Sequence, residues 1–486
     1  MRIAMISPEI GPFAKTGGLA DVVGTLSNDL ERFGHELCLI MPAYRAVMEG
    51  GFPLEEMSRK LAVQISDRTV GGSVLRTRLG KNISVYLARA DRYFDREFLY
   101  GTQNGDYPDN AERFTFFSRA TLEILKIDPV DIIHCHDWQS ALVIVFLNTQ
   151  ASLYPELKSA KTVFTVHNLG FQGLFPESEW HLLNLDRSWF TSPYLEFFGR
   201  INLLKGALVF ADKITTVSPT YAREIMTPQQ GFGLEGVLRK RKDDLIGILN
   251  GVDYSQWSPE IDPFTKCHYD RAHLAGKSLC KKDLQQTFGL PLRVDVPMIG
   301  MISRLTSQKG FDLVEKVLGG FIERNIQFAV LGSGERRYEE FFCRMADQYS
   351  EKIGVRIGFD EALAHQIEAG ADIFLMPSLY EPCGLNQMFS LKYGTIPVVR
   401  AVGGLKDTVE DYDPLAETGT GFVFRPYKPA ALRKALDRAL ELFPQKRVWS
   451  ALQKRAMSQD FSWKQSAAAY SDLYRRLITY NMICSR

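Results

Sequence analysis

The stretch Asp372-Ile-Phe-Leu-Met-Pro-Ser-Leu-Tyr-Glu-Pro-Cys-Gly-Leu-Asn-Gln387 passes from a buried strand to a helix within a few residues. Its apolar run, Ile373 to Met376, is typical of a strand that is buried on both faces of a parallel sheet. Pro377 ends the run, and apolar residues return at helical spacing from Leu385 onward. The polar turn at residues 381–384 is therefore predicted at the carboxyl edge of an α/β sheet, where such sheets bind ligands.

This turn combines two kinds of binding group. The first amides of the following helix, near Gly384, Leu385 and Asn386, have no partner within the helix and would point at a bound anion. Glu381 repels an anion, so its carboxylate is better suited to a neighbouring group that carries hydroxyls. A phosphate site beside a polyol site predicts that the ligand is a sugar nucleotide.

The rest of the chain predicts an α/β protein with two domains. Short apolar strands alternate with amphipathic helices in the first half, and the pattern restarts at about Met298. We predict two doubly wound domains that face a cleft, at residues 1–255 and 256–460. Residues 461–486 form a C-terminal helix that could cross back over the first domain. At 486 residues the chain is too long for one ordinary core.

The composition excludes several classes of function. With 58 basic and 57 acidic residues, no bulk field draws the chain to nucleic acid or to a membrane. No apolar stretch is long enough to span a bilayer, and the N-terminal residues are predicted to be a strand rather than a signal peptide. The seven cysteines are scattered and form no CxxC pair, which favours a cytoplasmic location and no metal site.

Two loops carry cations at predicted strand-to-helix junctions. Lys15-Thr-Gly-Gly18 offers close backbone approach and one mobile charge, although an ordinary turn with a surface lysine explains it slightly better when it is taken alone. After the strand that ends at Ser303, Arg304 offers a bidentate fork and Lys309 a point charge for phosphate oxygens. Solvated surface charges are the commoner fate of such a pair. The turn at residues 381–384, predicted at the equivalent edge of the same domain, favours the phosphate site.

Further candidates end strands of the first domain. In His134-Cys-His-Asp137-Trp138, alternation places both histidines on one face, so a three-ligand metal site is geometrically poor. Asp137 and Trp138 lie just beyond the strand, where they suit sugar hydroxyls and an apolar sugar face, and His167-Asn168 ends the next strand in the same way. Ordinary packing explains each of these residues when it is taken alone. Phe359, in the second domain, could stack on a base but on its own is more often a core residue.

Blocks of sequence that follow one another along nearly the whole chain carry a specific resemblance. They are Lys15-Thr-Gly-Gly-Leu-Ala-Asp-Val-Val-Gly24, His136-Asp-Trp138, Thr165-Val-His-Asn168, Asn250-Gly-Val-Asp253, Arg304-Leu-Thr-Ser-Gln-Lys309-Gly310, Tyr380-Glu-Pro-Cys-Gly-Leu385 and Gly394-Thr-Ile-Pro-Val-Val-Arg400-Ala-Val-Gly-Gly404. In these blocks the chain resembles bacterial glycogen synthases and plant starch synthases. The resemblance implies a GT-B glycosyltransferase with two Rossmann-like domains. It also implies transfer of glucose from ADP-glucose to the non-reducing-end 4-hydroxyl of an α-1,4-glucan such as glycogen, with retention and without metal or cofactor.

The resemblance also implies roles for individual residues. Arg304 and Lys309 would bind the departing diphosphate, Glu381 would hold sugar hydroxyls, and Asp137 and His167 would position the transferred glucose. These five residues form the predicted catalytic set. The predicted substrate-binding set lines the same sites and comprises Lys15, Gly18, Asp21, Trp138, Asn168, Asn250, Phe359, Cys383, Gly384 and Leu385.

The chain departs from the family pattern at three positions. The family more often has a histidine where this chain has Gln139 and a threonine where it has Asn386. The second glutamate of the wider E-x7-E pattern is also absent, since that position is Phe389, which puts the usual ribose contact in doubt. Two other functions stay open at this stage: a retaining GT-B enzyme with a small sugar acceptor, and a carbohydrate-binding protein without turnover. The sequence also leaves open the preference between ADP-glucose and UDP-glucose, and the oligomeric state.

Overall fold

The structure is a computed structural model that describes residues 1–102 and 105–484. The chain divides into two compact units. The first unit comprises Met1–Val217, Ala222–Gly251 and the residues from Trp463 onward. The second comprises Ser218–Tyr221 and Val252–Ser462. The assignment of residues 218–221 to the second unit is a feature that the sequence pattern does not predict.

The first unit is built on a nine-stranded sheet in the order β14-β13-β9-β8-β1-β2-β5-β4-β3. The strands of this unit are β1 (Arg2–Ile6), β2 (Glu36–Pro42), β3 (Glu55–Ile65), β4 (Arg68–Arg78), β5 (Ile83–Arg89), β6 (Gly101–Thr102), β7 (Gly105–Asp106), β8 (Ile132–His136), β9 (Lys161–Val166), β10 (Leu174–Pro176), β11 (Glu196–Phe197), β12 (Arg200–Asn202), β13 (Lys213–Thr216) and β14 (Leu245–Gly247). The helices in this part of the chain are α1 (Gly18–Arg32), α2 (Arg45–Glu49), α3 (Asp91–Phe94), α4 (Asn110–Ile127), α5 (Ala141–Thr149), α6 (Leu203–Phe210), α7 (Pro219–Glu224) and α8 (Glu235–Lys240).

The central strands of this sheet are parallel, and β1 lies between β2 and β8. The chain passes from β1 to β2, continues to the edge strand β3, and returns inward through β4 to β5. It then crosses to the other side of β1 to form β8. The point between β1 and β8 is therefore a topological switch point, which in open α/β sheets is where a crevice for ligands forms. The loops that follow β1 and β8 carry Lys15 and Asp137, respectively.

The antiparallel part of the first sheet differs from the parallel sheet that the sequence predicts. Strands β3 and β4 form a long hairpin, and β4 pairs antiparallel with β5. β3 is mostly exposed, and β4 contains Gly71 and Gly72, so neither strand has the continuous apolar run of a buried parallel strand. The aromatic region after Phe171 also contains a small antiparallel sheet in the order β10-β12-β11.

The second unit contains a six-stranded, fully parallel sheet in the order β17-β16-β15-β18-β19-β20. Its strands are β15 (Met298–Ile302), β16 (Gln327–Gly332), β17 (Ile353–Ile357), β18 (Ile373–Met376), β19 (Ile396–Arg400) and β20 (Phe422–Phe424). Its helices are α9 (Ala275–Thr287), α10 (Phe311–Ile322), α11 (Arg336–Gln348), α12 (Glu361–Gly370), α13 (Asn386–Tyr393), α14 (Gly403–Thr408), α15 (Pro429–Leu442) and α16 (Lys446–Met457). This is the strand order of the Rossmann fold, and its switch point lies between β15 and β18.

The last helix, α17 (Trp463–Cys484), packs within the first unit. The Ser466 hydroxyl donates a hydrogen bond to the Leu249 carbonyl, at 2.5 Å. His35 contacts the Ser471 hydroxyl at 2.7 Å, and His134 contacts the Tyr474 hydroxyl at 2.7 Å. The helix thus lies against the strands that position the first unit's candidate residues. No helix in the described part of the chain is long and apolar enough to cross a membrane.

Candidate active site

The second unit brings Lys309 and Glu381 into direct contact. Lys309 Nζ donates to both carboxylate oxygens of Glu381, at 2.8 and 2.7 Å. The Ser378 hydroxyl donates to one of the same oxygens, at 3.0 Å. The side chains of Lys309 and Glu381 are 19% and 6% exposed, so water screens the ion pair only weakly. The sequence predicts both residues at this edge of the sheet, but it does not predict that they bind each other.

The two loops that carry this ion pair are packed against each other at the switch point. Gly310 has a φ of 81°, and a Cβ atom there would lie 2.2 Å from the Pro377 carbonyl oxygen. The Leu379 amide donates to the Gln308 carbonyl at 2.8 Å, which ties the loop after β18 to the loop after β15. Only glycine permits this approach, because a side chain would clash with the backbone and disfavour the positive φ.

The turn at residues 381–384 rests on the start of α14. Gly403 has a φ of 41°, and a Cβ atom there would lie 1.8 Å from the Glu381 carbonyl oxygen. The Gly404 amide donates to the same carbonyl at 3.3 Å. The Gln387 amide group donates to the carbonyls of Cys383 and Gly384, at 3.2 and 3.0 Å. These contacts hold Glu381 and the start of α13 in one fixed geometry.

The amino end of α13 offers an anion site. Across the described ranges, the backbone amides of Gly384, Leu385 and Asn386 donate to no protein group. The N-cap residue Leu385 supplies no side-chain cap. Unpaired amides at a helix start carry partial positive charge and suit a phosphate oxygen. Arg304 is exposed in the loop after β15 and forms no ion pair with any residue that the structure describes, so its guanidinium is available to an anion.

The other candidates of the second unit differ in exposure. Phe359 is 82% exposed in the loop after β17. It is therefore not a core residue, although a phenylalanine in such a sequence more often is. Cys383 is buried, and Leu385 is half-buried. Phe389, at the position of the second glutamate in the wider E-x7-E pattern, stacks on Trp257 with the ring centroids 4.0 Å apart. This position therefore packs a core aromatic and supplies no carboxylate for a ribose. Asn386 donates to the Ile302 carbonyl at 2.7 Å, which fixes α13 to the end of β15.

In the first unit, the loop after β1 is organised by a residue that the sequence analysis missed. The buried carboxylate of Glu9 accepts from the Thr16 amide and hydroxyl, at 2.5 and 2.6 Å, and from the Tyr100 hydroxyl, at 2.6 Å. Glu9 follows Pro8 in the loop just beyond the end of β1, and this position after a strand could have identified it as a candidate site residue. The half-exposed side chains of Lys15 and Asp21 form an ion pair at 2.9 Å, and Gly18 begins α1.

The strand ends of β8 and β9 meet at Asp137. Its Oδ1 accepts a hydrogen bond from the His167 amide at 2.8 Å, and its own amide donates to the Thr165 carbonyl at 3.0 Å. Asp137 has a φ of 56° and a ψ of 178°, a strained backbone conformation for a residue with a side chain. The imidazoles of His136 and His167 face each other, with Nδ1 of the first 3.0 Å from Nε2 of the second.

Burial suppresses charge in this cluster. Burial lowers the pKa of His167 to about 3, and it lowers the pKa of His136 well below the ordinary value. Burial raises the pKa of Asp137 to about 7, although amides of the following strand end partly oppose that shift. The histidines are therefore neutral at physiological pH, and Asp137 titrates near it. Neutral hydrogen-bonding groups in a water-poor setting suit an uncharged ligand that carries hydroxyls.

The remaining candidates of the first unit have different surroundings. Trp138 is only 9% exposed, because its ring packs on Gly173, Phe114 and Phe175. This packing accounts for Trp138 as a core residue, and its contact with a sugar stays a prediction. Asn168 is half-buried and accepts from the Gly170 amide at 2.9 Å. Asn250 and Gln139 are buried, and the side-chain oxygen of each has no hydrogen-bond partner in the described structure.

Two α/β units, a Rossmann-type strand order in the second and candidate binding residues at the switch point of each sheet are features of the GT-B class of glycosyltransferases. Comparison with known proteins supports this class. Sucrose-phosphate synthase from Thermosynechococcus elongatus shares the fold, with a TM-score of 0.62 at 18% identity and coverage of 99% of each chain. At that identity the likeness concerns the fold alone.

The family is defined by nearer relatives. Residues 2–240 match the family model described as starch synthase catalytic domain, and residues 284–454 match glycosyl transferases group 1. The chain is 48% identical to the glycogen synthase of Koribacter versatilis, over 98% of each sequence. The catalytic domain of starch synthase IV from Arabidopsis thaliana, solved bound to ADP and acarbose, is 34% identical with a TM-score of 0.90, covering 98% of this chain and 99% of that one. The chain belongs to the starch and glycogen synthase family.

Proposed function

We propose that the protein is a glycogen synthase. It transfers glucose from ADP-glucose to the 4-hydroxyl at the non-reducing end of an α-1,4-glucan, retains the anomeric configuration and releases ADP. The observation that carries this proposal is the pair of candidate anion-binding groups in the second unit, which are the Lys309 ammonium held by Glu381 and the unpaired amides at the start of α13. The glycogen synthase relatives and the ADP-bound starch synthase match this chain over nearly its whole length, which supports the same donor and acceptor.

The leaving diphosphate is the group that most needs stabilisation. Negative charge builds on its bridging oxygen as the C1–O bond of the donor breaks. Arg304, Lys309 and the amides at residues 384–386 bind that charge more strongly in the transition state than in the ground state, which is the condition for catalysis. Because Glu381 and the loop packing fix Lys309 in advance, little reorganisation is needed when the charge develops.

Glu381 has two tasks in this mechanism. A carboxylate has about four lone-pair positions, and Lys309 and Ser378 occupy only part of them. These three hydrogen bonds leave about one position, which accepts a hydrogen bond from a hydroxyl of the transferred glucose. Glu381 thereby links the orientation of the sugar to the position of the lysine on the diphosphate.

The glucose is positioned by the neutral polar cluster of the first unit. The Asp137 carboxyl, the His167 imidazole and the Asn168 amide offer acceptors and donors for sugar hydroxyls. No carboxylate of the predicted set serves as a nucleophile in this scheme. The acceptor hydroxyl attacks from the same face that the diphosphate leaves, and the departing phosphate takes its proton. A covalent glucosyl-enzyme in the mass spectrum of a quenched reaction would contradict this route.

One experiment separates this function from its alternatives. The protein is incubated with labelled ADP-glucose or UDP-glucose, with and without glycogen, and label in polymer and in small products is measured. We expect label in the polymer with ADP-glucose and glycogen together. Transfer that does not depend on glycogen would favour a small sugar acceptor, and binding of glycogen without transfer would favour a carbohydrate-binding protein.

A further inference from the structure

A polar cavity lies at the edge of the first sheet opposite to the one that carries Lys15 and Asp137. Its volume is about 400 Å³, within the ordinary range for a small-molecule site. Its lining includes the first residues of β1 and β2, and it therefore lies at the amino edge, away from the loops that carry Lys15 and Asp137. The lining comprises Arg2, Glu36, Arg76, Arg78, Lys81, Asn82, Ser84, Tyr86, Ile127 and Asp128.

The register of four strands explains why these side chains share one face. Arg2 pairs with Glu36 across β1 and β2, and β5 places Tyr86 opposite Arg76 and Ser84 opposite Arg78. Residues two apart on a strand point to the same side, so the pairs form one row across the sheet. The end of α4, with Ile127 and its C-cap Asp128, covers the row.

Charge is distributed unequally along this row. At one end, Arg2 forms ion pairs with both Asp128 and Glu36, and the Tyr86 hydroxyl donates to Asp128 at 3.0 Å. That end has carboxylates in excess over cations. At the other end, Arg76 donates to the Ser84 hydroxyl and Arg78 to the Lys81 carbonyl, both neutral acceptors.

In the described structure, the cations at the other end are not neutralised by carboxylates, so they can bind an anion. Among the residues that the structure describes, Arg76, Arg78 and Lys81 form no ion pair. The Glu31 carboxylate accepts a hydrogen bond from the Asn82 amide and forms no ion pair with these cations in the part of the chain that the structure describes. Three unneutralised cations beside hydroxyl and amide groups form a site for an anion with more than one negative charge.

We propose that this cavity binds a phosphorylated sugar. The phosphate lies against Arg76, Arg78 and Lys81, and the hydroxyls of the sugar donate to the carboxylates at the Arg2 end. A phosphate alone would bring no hydroxyl to the end where carboxylates exceed cations, and a neutral sugar would bring no anion to the three cations. The proposal does not rest on the function proposed above, because none of these residues belongs to the predicted catalytic or substrate-binding sets.

The test is isothermal titration of the full chain with ribose 5-phosphate, ribose and inorganic phosphate. We expect ribose 5-phosphate to bind more tightly than either half. The double variant R78Q/K81Q removes two exposed cations and should weaken that binding about tenfold or more, as for lost hydrogen bonds to charged groups. The control R336Q/R344Q makes the same change of charge on the exposed face of α11 and should bind like the wild type.

A third variant shows which site is measured. R304Q weakens the predicted diphosphate site and should leave the binding of ribose 5-phosphate unchanged. Binding that is lost in R304Q but kept in R78Q/K81Q would overturn the proposal, because the probe would then occupy the diphosphate site. Inorganic phosphate that binds as tightly as ribose 5-phosphate would also overturn it, because the carboxylate end would then recognise nothing.

Discussion

The carboxyl edges of the two sheets hold opposite electrostatic environments in the same topological position. In the first unit, the strand ends gather His136, Asp137 and His167, and burial suppresses the charge of all three. In the second unit, the strand ends gather Arg304, Lys309 and unpaired amides, and an ion pair with Glu381 holds Lys309 in place. The fold therefore supplies only the crevice, and the side chains at the strand ends decide which chemical group binds there.

The contrast matches the two halves of a sugar nucleotide. A glucosyl group is neutral and carries hydroxyls, so it is served by neutral donors and acceptors in a dry environment. A diphosphate gains negative charge as it leaves, so it is served by cations that are already in place. The following predictions test this contrast.

Replacing Lys309 should have the largest effect. K309A should lose about 2–4 kcal/mol of transition-state stabilisation, as for the removal of a comparable donor. The matched control K316A removes an exposed lysine of α10 and should leave kcat/KM unchanged. Steady-state kinetics with ADP-glucose and glycogen measures both variants, and circular dichroism confirms that they are folded. An unchanged kcat/KM in K309A would refute its role.

The close approach of the two loops in the second unit should be sensitive to a single methyl group. G310A introduces a Cβ atom 2.2 Å from the Pro377 carbonyl at a φ of 81°, and it should reduce the unfolding free energy by at least about 1–3 kcal/mol. In G319A, on α10, no atom lies within 4 Å of the added Cβ. That variant should be more stable by about 0.5–1 kcal/mol. Urea unfolding distinguishes the two, and equal stability would show that the loops are not tightly packed.

Suppression of histidine charge in the first unit predicts a pH dependence of stability. Burial lowers the pKa of His134 to about 3, so the unfolded chain binds a proton below the ordinary pKa of about 6.5 that the folded chain does not bind. The stability is therefore fully present above about pH 6.5 and falls as the pH is lowered toward 3. H134Q should reduce this slope by about one proton.

The measurement is urea unfolding at several pH values between 4 and 7. H134Q also loses hydrogen bonds to Thr165 and Tyr474 and should be less stable at every pH. The slope, rather than the absolute stability, is the informative quantity. A slope equal to that of the wild type would mean that His134 carries a proton in the folded protein.

Removing the exposed ring of Phe359 should have the smallest effect. If the ring stacks on the adenine, F359A should raise KM for ADP-glucose several-fold, for a stacking contact of about 0.5–1.5 kcal/mol, and should leave kcat unchanged. Leu415 is 96% exposed and provides the control L415A. Equal KM values for both variants would remove Phe359 from the donor site.

Much of the fold was predictable because hydrophobic patterning repeats along the chain. Buried strands such as Ile373–Met376 appear as continuous apolar runs and are where the pattern predicts them. The hairpin of β3 and β4 was missed because neither strand has a continuous apolar run. β3 is mostly exposed, and β4 is interrupted by paired glycines. The candidate residues at strand ends were likewise found by position, whereas Glu9 was missed although it lies just beyond the end of β1, because its burial and its contact with Tyr100 depend on segments far apart in the chain.

The contacts among candidates could not be predicted in the same way. Lys309 and Glu381 lie 72 residues apart, and their pairing depends on how β15 and β18 are placed side by side. Trp257 and Phe389 stack for the same kind of reason, so a packed ring occupies the position of the second glutamate in the wider E-x7-E pattern.

The sequence alone was enough to infer the two α/β units, the residue types at their strand ends and the resemblance to the starch and glycogen synthases. These features are local, since a period of apolar residues, a glycine or a cation can be recognised within a few positions. The packing of distant segments decided that Lys309 is fixed by Glu381 and that burial keeps His134, His136 and His167 uncharged. It also decided that a polar cavity with one cationic end lies at the amino edge of the first sheet. Those properties depend on burial and on distances between segments far apart in the chain, and both arise only when the sheets assemble.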